Sequence, residues 1–186
     1  MNHDFAIKSN SVVLRAIRND DWDQLYRWHN DPEVLYFTEG DLTTSRTLEE
    51  VQALYHGVCA KGICFMIECG GLTVGGCWLQ EMNLHRILRK FPSKEIYRID
   101  LEIGEKSQWG RGIGTTTIRL LTEFGFVHQN ADMIFAADVA DYNIRSIRAF
   151  TRIGYQILRH ASEPPLGTCD LVLDRDNFLQ DHVLSN

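Results

Sequence analysis

The sequence predicts an α+β fold organised around a mixed sheet, and three observations carry that prediction. Short runs of alternating apolar residues are separated by turn signals. Amphipathic stretches fall among them, giving the order β-α-α-β-β-β-α-β-α-β-β. Between Ile96 and Val127 the chain passes from a strand through a glycine-rich loop into a helix. With 186 residues it is read as one domain spanning 1–186, long enough to bury its own core.

Ser11–Ile17 reads as the first strand. Asn19, Asp20 and Asp21 then cap a helix on which Trp22, Leu25, Tyr26 and His29 share a face. Asn30-Asp31-Pro32 breaks it, and Pro32 suits the first turn of a short second helix. Tyr36–Asp41 reads as an aromatic, acidic loop. Thr47 and Glu50 form a capping box that opens a helix to about Cys59. Ile63–Cys69 and Leu72–Gln80 are strands joined through Gly70-Gly71, a hairpin signal. Glu81–Glu95 is a loop or short helix whose His85, Arg86, Arg89 and Lys90 read as a solvated face.

Ile96–Ile103 alternates cleanly, with Ile99, Leu101 and Ile103 on one face and Arg98, Asp100 and Glu102 on the other. After the loop, Ile113, Thr117, Leu120, Leu121, Phe124 and Val127 recur at helical spacing. Met133–Asp138 is a buried-type strand. Asn143–Ile153 is a helix with Ile144, Ile147 and Phe150 inward, closed by Gly154 in a left-handed conformation. Tyr155–His160 and Thr168–Leu173 pair around Glu163–Gly167. The polar tail beyond Asp174 is expected to fray.

The loop Gln108-Trp109-Gly110-Arg111-Gly112-Ile113-Gly114 has glycines at alternate positions where a helix begins. Such glycines fit either a flexible turn or a pyrophosphate seat. The first N–H groups of a helix lack internal partners and carry the positive end of its dipole, and no side chain would hold a phosphate off them. The spacing G-x-G-x-G is not the dinucleotide fingerprint, and no Gly-Lys-Ser/Thr closes the loop as in a Walker motif.

Composition narrows the function classes. Nineteen Lys and Arg against 25 Asp and Glu leave a formal charge of −6 with no basic block, which argues against a nucleic-acid surface and mildly favours a cationic substrate. No apolar run reaches the length of a membrane span, and the N-terminus carries no signal pattern. Cys59, Cys64, Cys69, Cys77 and Cys169 form no C-x-x-C pair. Thiols packed in a reducing cytoplasm are expected, rather than disulfides or a metal site.

Trp109-Gly-Arg-Gly-Ile-Gly-Thr115, preceded by the Asp100-Leu-Glu-Ile-Gly strand, resembles the acyl-CoA motif Gln/Arg-x-x-Gly-x-Gly/Ala of the GNAT N-acetyltransferase superfamily. Trp109 stands at the Gln/Arg position, as it often does in the ribosomal-protein and aminoglycoside branch. Asp138 to Tyr155 resembles a second family block, D-x-x-x-x-N-x-R-A-I-R-x-Y-x-K-x-G-F, and the likeness covers nearly the whole chain. It is strongest to aminoglycoside 6′-N-acetyltransferases, whose strand approach Pro92–Glu105 also resembles. Asp100 and Asp138 match the two aspartates that face sugar amines there.

The resemblance implies a GNAT-like, mostly antiparallel sheet splayed between its fourth and fifth strands, Ile96–Ile103 and Met133–Asp138. Acetyl-CoA would be the cosubstrate, with no metal. The expected cofactor residues are Ile103, Trp109, Gly110, Arg111, Gly112, Ile113, Gly114, Thr115, Asn143 and Arg148. Asp100 and Glu102 are the catalytic candidates, with Asp100 a base, an ammonium binder or a structural ion-pair partner. The reference value for a carboxyl group, near 4, is low for a base and would have to be raised by burial or a neighbour. Acceptor candidates are Asp138, Tyr36, Glu39, Asp41 and, more weakly, Asp170. Phe150 replaces the tyrosine often assigned to protonate the leaving thiolate, which leaves unassisted departure, Tyr142 or Tyr155.

The activity expected is acetylation of a primary amine on a cationic small molecule, foremost the 6′-amine of an aminoglycoside. A protein N-terminal amine is the second reading, and a noncatalytic acyl-CoA-binding module the third. The partner is then a small-molecule amine, with the chain a monomer or homodimer in the cytoplasm.

Overall fold

The computed structural model describes residues 3–40, 45–161 and 167–183. In chain order the elements are β1 (Ile7–Lys8), β2 (Val12–Ala16), α1 (Trp22–Trp28), α2 (Pro32–Thr38), α3 (Leu48–Cys59), β3 (Gly62–Cys69), β4 (Leu72–Glu81) and α4 (His85–Leu88). There follow β5 (Ile96–Glu102), α5 (Ile113–His128), β6 (Met133–Ala140), α6 (Ile144–Thr151), β7 (Gln156–Ala161), β8 (Thr168–Asp174) and α7 (Arg175–Val183). The strands form a mixed, mostly antiparallel sheet in the order β1-β2-β3-β4-β5-β6-β8-β7. The chain divides into two compact units: residues up to Gln80 with Asp100–Thr117, and Glu81–Ile99 with Ile118 onward.

In the first unit β1, β2, β3 and β4 pair antiparallel in succession, and Gly70 and Gly71 turn the β3–β4 hairpin at φ of 60° and 79°. The capping box forms as the sequence expects: Thr47 Oγ1 accepts from the Glu50 N–H at 3.2 Å, and Glu50 Oε2 accepts from the Thr47 N–H at 2.8 Å. Ile17, Leu25, Trp28, Val51, Tyr55, Cys64 and Met66 make one core. Two expectations are corrected. Tyr26 is 40% exposed, and Trp28 at 3% takes the inward place. Tyr36 and Phe37 lie in α2 rather than a loop, because Asp31 caps that helix through the Glu33 and Val34 N–H groups and carries it on to Thr38. Asp41 lies outside the described residues.

In the second unit β5 pairs β6 in parallel through Ile96–Arg98 against Met133–Phe135, and the register ends there, as a sheet opening between these strands requires. β8 pairs antiparallel with both β6 and β7. Met82, Ile87, Ile96, Met133, Phe135, Ala137 and Val172 form the core. Gly154 closes α6 at φ 108°. Ile144 is 47% exposed rather than inward; it is the first residue after the Asn143 cap, before the buried stripe begins. Val127 is likewise 63% exposed, and Phe126 at 4% is buried in its stead. The tail does not fray at Asp174: α7 follows, with Phe178 buried at 4% and its ring 5.1 Å from that of Phe126. The Glu163–Leu166 part of the expected β7–β8 turn lies outside the described residues.

Candidate active site

The end of β5 in the first unit brings most of the expected residues together. Asp100 is half-buried, and its Oδ2 accepts the Trp78 indole N–H at 3.0 Å. Glu102 differs sharply, being 7% exposed. Burial, and then repulsion by Glu39, push its carboxyl up to about 8, while nearness to the Tyr55 hydroxyl and attraction to Arg46 pull the other way. Room for it comes from Gly75 and Gly76 in β4. A Cβ at Gly75 would lie 2.1 Å from the Glu102 carbonyl oxygen, and one at Gly76 would lie 2.8 Å from the Tyr55 hydroxyl.

Beyond β5 the chain is pinned at both margins. The Glu105 N–H donates to the Val74 carbonyl at 3.0 Å, and the Trp109 indole N–H donates to the Ile103 carbonyl at 2.5 Å. The Trp109 ring stands edge-on to Phe37, centroids 5.6 Å apart. So Trp109 ties the strand end to the glycine loop. Gly110 and Gly112 then adopt φ of 75° and 81°, and a Cβ on either would meet nothing within 4 Å. That leaves an open backbone cradle where α5 starts, the Gly112 carbonyl accepting from the Thr116 N–H at 3.0 Å. By helix geometry the N–H groups of Ile113, Gly114 and Thr115 have no intrahelical acceptor, which fits a diphosphate. The exposed Arg111 guanidinium bonds Gln108 at 2.7 Å. Tyr36 is half-buried with its ring 5.1 Å from Phe37, and Glu39 forms a two-pronged pair with Arg46 at 2.5 and 2.6 Å.

In the second unit Asp138 and Asp170 converge on Arg86. Its Nη2 bonds Asp138 Oδ1 at 2.6 Å and Asp170 Oδ1 at 3.1 Å, while Nη1 bonds Asp170 Oδ2 at 2.7 Å. Asp138 sits at a β6 bulge with φ 56°, and its N–H donates to Asp170 Oδ1 at 3.0 Å. A non-glycine residue held there is strained, and the bulge re-aims its side chain. Arg86 is thus an ion-pair partner rather than part of a solvated face, and its sequence neighbours gave no sign of it.

Asn143 caps α6 through the Ser146 N–H at 3.1 Å, and Arg148 is exposed on that helix. Phe150 is buried against Tyr155, centroids 5.0 Å apart. The Tyr155 hydroxyl bonds Thr122 at 2.8 Å, and burial drives its ionisation far up. That arrangement removes Tyr155 as a proton donor. Sequence reasoning also missed His29 and Tyr55, which lie far from the motifs and approach Glu102 only in the fold.

A model of the acetyltransferase (GNAT) domain matches residues 11–156. The chain belongs to the GNAT acetyltransferase family. The aminoglycoside N(6′)-acetyltransferases type 1 of Klebsiella pneumoniae and Serratia marcescens are each 25% identical over 163 residues, covering 80% of this chain and 75% of theirs. The crystal structure of aminoglycoside acetyltransferase AAC(6′)-Ib with coenzyme A superposes with TM-score 0.73 at 22% identity, covering 92% of this chain and 99% of that one. Spermidine N-acetyltransferase from Vibrio cholerae, with CoA and spermine, gives the same TM-score and coverage at 18% identity.

As a GNAT acetyltransferase the protein is an acetyl-CoA-dependent acyltransferase. Among the described residues no helix is long and apolar enough to cross a membrane, and no group of three or more His, Cys, Asp or Glu could hold a metal ion.

Proposed function

We propose that this GNAT acetyltransferase moves the acetyl group of acetyl-CoA to a primary amine of a polycationic small molecule, the 6′-amine of an aminoglycoside. The carrying observation is Asp100: a carboxylate oriented by the Trp78 indole, ten residues before a glycine cradle opened by Gly110 and Gly112. The 25%-identical relatives named for aminoglycoside acetylation support the choice of acceptor.

Acetyl-CoA supplies an acetyl group already activated as a thioester. The N–H groups at the start of α5 hold its diphosphate, with Arg111 and Thr115 beside them. Ile103, its carbonyl taken by Trp109, keeps the strand end in place. Asp100 attracts and orients the acceptor ammonium, concentrating the amine so that a two-body encounter becomes a local one. Tyr36 and Glu39 offer an aromatic face and a carboxylate to the acceptor. In the second unit, Asp138 and Asp170 would bind an ammonium only in competition with Arg86. Phe150 donates nothing, and the thiol's modest basicity lets it leave without an acid from that position.

The test is thiol release from acetyl-CoA in the presence of kanamycin, spermidine and a short peptide in parallel. Turnover highest with kanamycin is expected. Preference for the peptide's N-terminal amine would replace this reading with protein acetylation, and saturable CoA binding without turnover would make the chain a binding module.

A further inference from the structure

Four buried side-chain atoms in the first unit lie close together with no well-formed hydrogen bond among the described residues, though the Tyr55 hydroxyl stands near the Glu102 carboxyl: His29 Nδ1 and Nε2, the Tyr55 hydroxyl and Glu102 Oε1. His29 follows the end of α1, Tyr55 lies on α3 and Glu102 on β5. His29 Nε2 is 3.4 Å from Glu102 Oε1, and the His29 ring stands edge-on to Tyr55, centroids 5.7 Å apart. Gly76 leaves open the space that a β4 side chain would fill, since its Cβ would lie 2.8 Å from the Tyr55 hydroxyl and 3.8 Å from Glu102 Oε1. Leaving such groups unpaired is costly, roughly 1–3 kcal/mol each, unless water or a mobile proton satisfies them. One indole joins this cluster to Asp100: the Trp78 ring packs on Tyr55 at 5.7 Å while its N–H bonds the Asp100 carboxylate at 3.0 Å.

We propose that Glu102, His29 and Tyr55 form a buried proton-accepting site for the acetyl transfer, taking through water the proton that the acceptor ammonium gives up at Asp100. This rests on the transferase reading above and deepens it. The ammonium N–H bond breaks with its electron pair left on nitrogen, and an O–H bond forms on Glu102. The nitrogen lone pair then forms the C–N bond to the acetyl carbon as its C–S bond breaks, the amine's second proton goes to the departing thiolate, and Glu102 returns its own to solvent. Glu102 does not touch the acceptor; it is a positioning residue acting through water.

The surroundings suit the task. His29 is held neutral, its ionisation lowered to about 4 by burial and then by Arg46, against the opposing pull of Glu39. A neutral imidazole and a phenol can each donate to the newly ionised carboxylate without fixing it as an ion pair. The other charged or titratable groups around the cluster are the Glu39–Arg46 pair following α2, Cys64 on β3 and Cys77 on β4. With burial lifting Glu102 to about 8, the fraction able to accept a proton grows with pH through that value.

The experiment is the pH profile of kcat/KM for wild type, Glu102→Gln and Tyr55→Phe, using saturating acetyl-CoA and an acceptor whose amine ionises above pH 9. Wild type should show a break near pH 8. Glu102→Gln should lose the break and about 100-fold in kcat, with the acceptor KM changed by no more than about twofold. Tyr55→Phe should keep its melting temperature and move the break upward, because the hydroxyl beside the carboxylate is gone. An unchanged break and kcat in Glu102→Gln overturns the proton site and leaves the transferase standing. If Glu102→Gln fails to fold, an unmoved break in Tyr55→Phe overturns the proposal equally. Absence of turnover by wild type on every amine overturns both.

Discussion

On the proposed function, Asp100 and Gly112 divide the labour of the first unit between acceptor and cofactor. Asp100→Asn keeps an oxygen that can accept the Trp78 N–H, so the fold should be undisturbed while the attraction for an ammonium is lost. The expected result is a fall of about 100-fold in kcat/KM for a cationic amine, with CoA affinity unchanged by calorimetric titration. Gly112→Ala should do the reverse. Nothing lies within 4 Å of its Cβ, so the structural cost is that of φ 81° alone, about 1–2 kcal/mol, seen as a small drop in melting temperature. The new methyl would stand in the phosphate cradle and raise the KM for acetyl-CoA about tenfold, a shift of roughly 1.4 kcal/mol. The positions of both residues, at a strand end and in the loop before a helix, were legible because they depend on local spacing. The difference between Asp100 and Glu102 was not, because alternation puts them on one face and only distant partners decide which is dry. Those partners, His29 and Tyr55, are 73 and 47 positions upstream of Glu102.

At the scale of elements, β4 and α4 show where long-range packing overrides what a stretch says by itself. Gly75 and Gly76 read as ordinary strand residues, yet a Cβ at Gly75 would lie 2.1 Å from the Glu102 carbonyl oxygen. Gly75→Ala must therefore move backbone, and a loss of about 3 kcal/mol in urea unfolding is expected, with Asp100 and the Trp109 anchor displaced together. The α4 stretch read as a polar connector because its basic residues have no acidic neighbour in sequence. Its Arg86 finds Asp138 and Asp170 through β6 and β8, 52 and 84 positions away. Arg86→Ala strips two bonds from Asp170, whose side chain is 2% exposed, and should cost about 3 kcal/mol in the same measurement. Capping signals were reliable where they were self-contained, as at Thr47 and Gly154. The tail misled because the polarity of α7 says nothing of Phe178, whose burial depends on Phe126 of α5.

For the molecule as a whole, Glu102 and His29 make stability depend on pH in opposite senses. Glu102 is raised from 4.5 to about 8, so between those values the folded chain keeps a proton that the unfolded chain has released, and stability falls as pH rises. His29 is lowered from 6.5 to about 4, so the unfolded chain binds the extra proton and stability rises with pH over that window. From pH 4.5 to 6.5 the two slopes oppose and these groups contribute a plateau. Above 6.5 only Glu102 still titrates, and its contribution drops by about 2 kcal/mol by pH 8, at 1.36 kcal/mol per unit. For a chain of this size that corresponds to roughly 4–8 °C. Melting temperatures of wild type and Glu102→Gln between pH 6 and 9 check this. The wild-type curve should fall relative to the variant across pH 6.5–8 and run parallel above it. Parallel curves throughout would mean that Glu102 is already ionised near pH 6, and the dry, neutral carboxyl at the end of β5 would have to be abandoned.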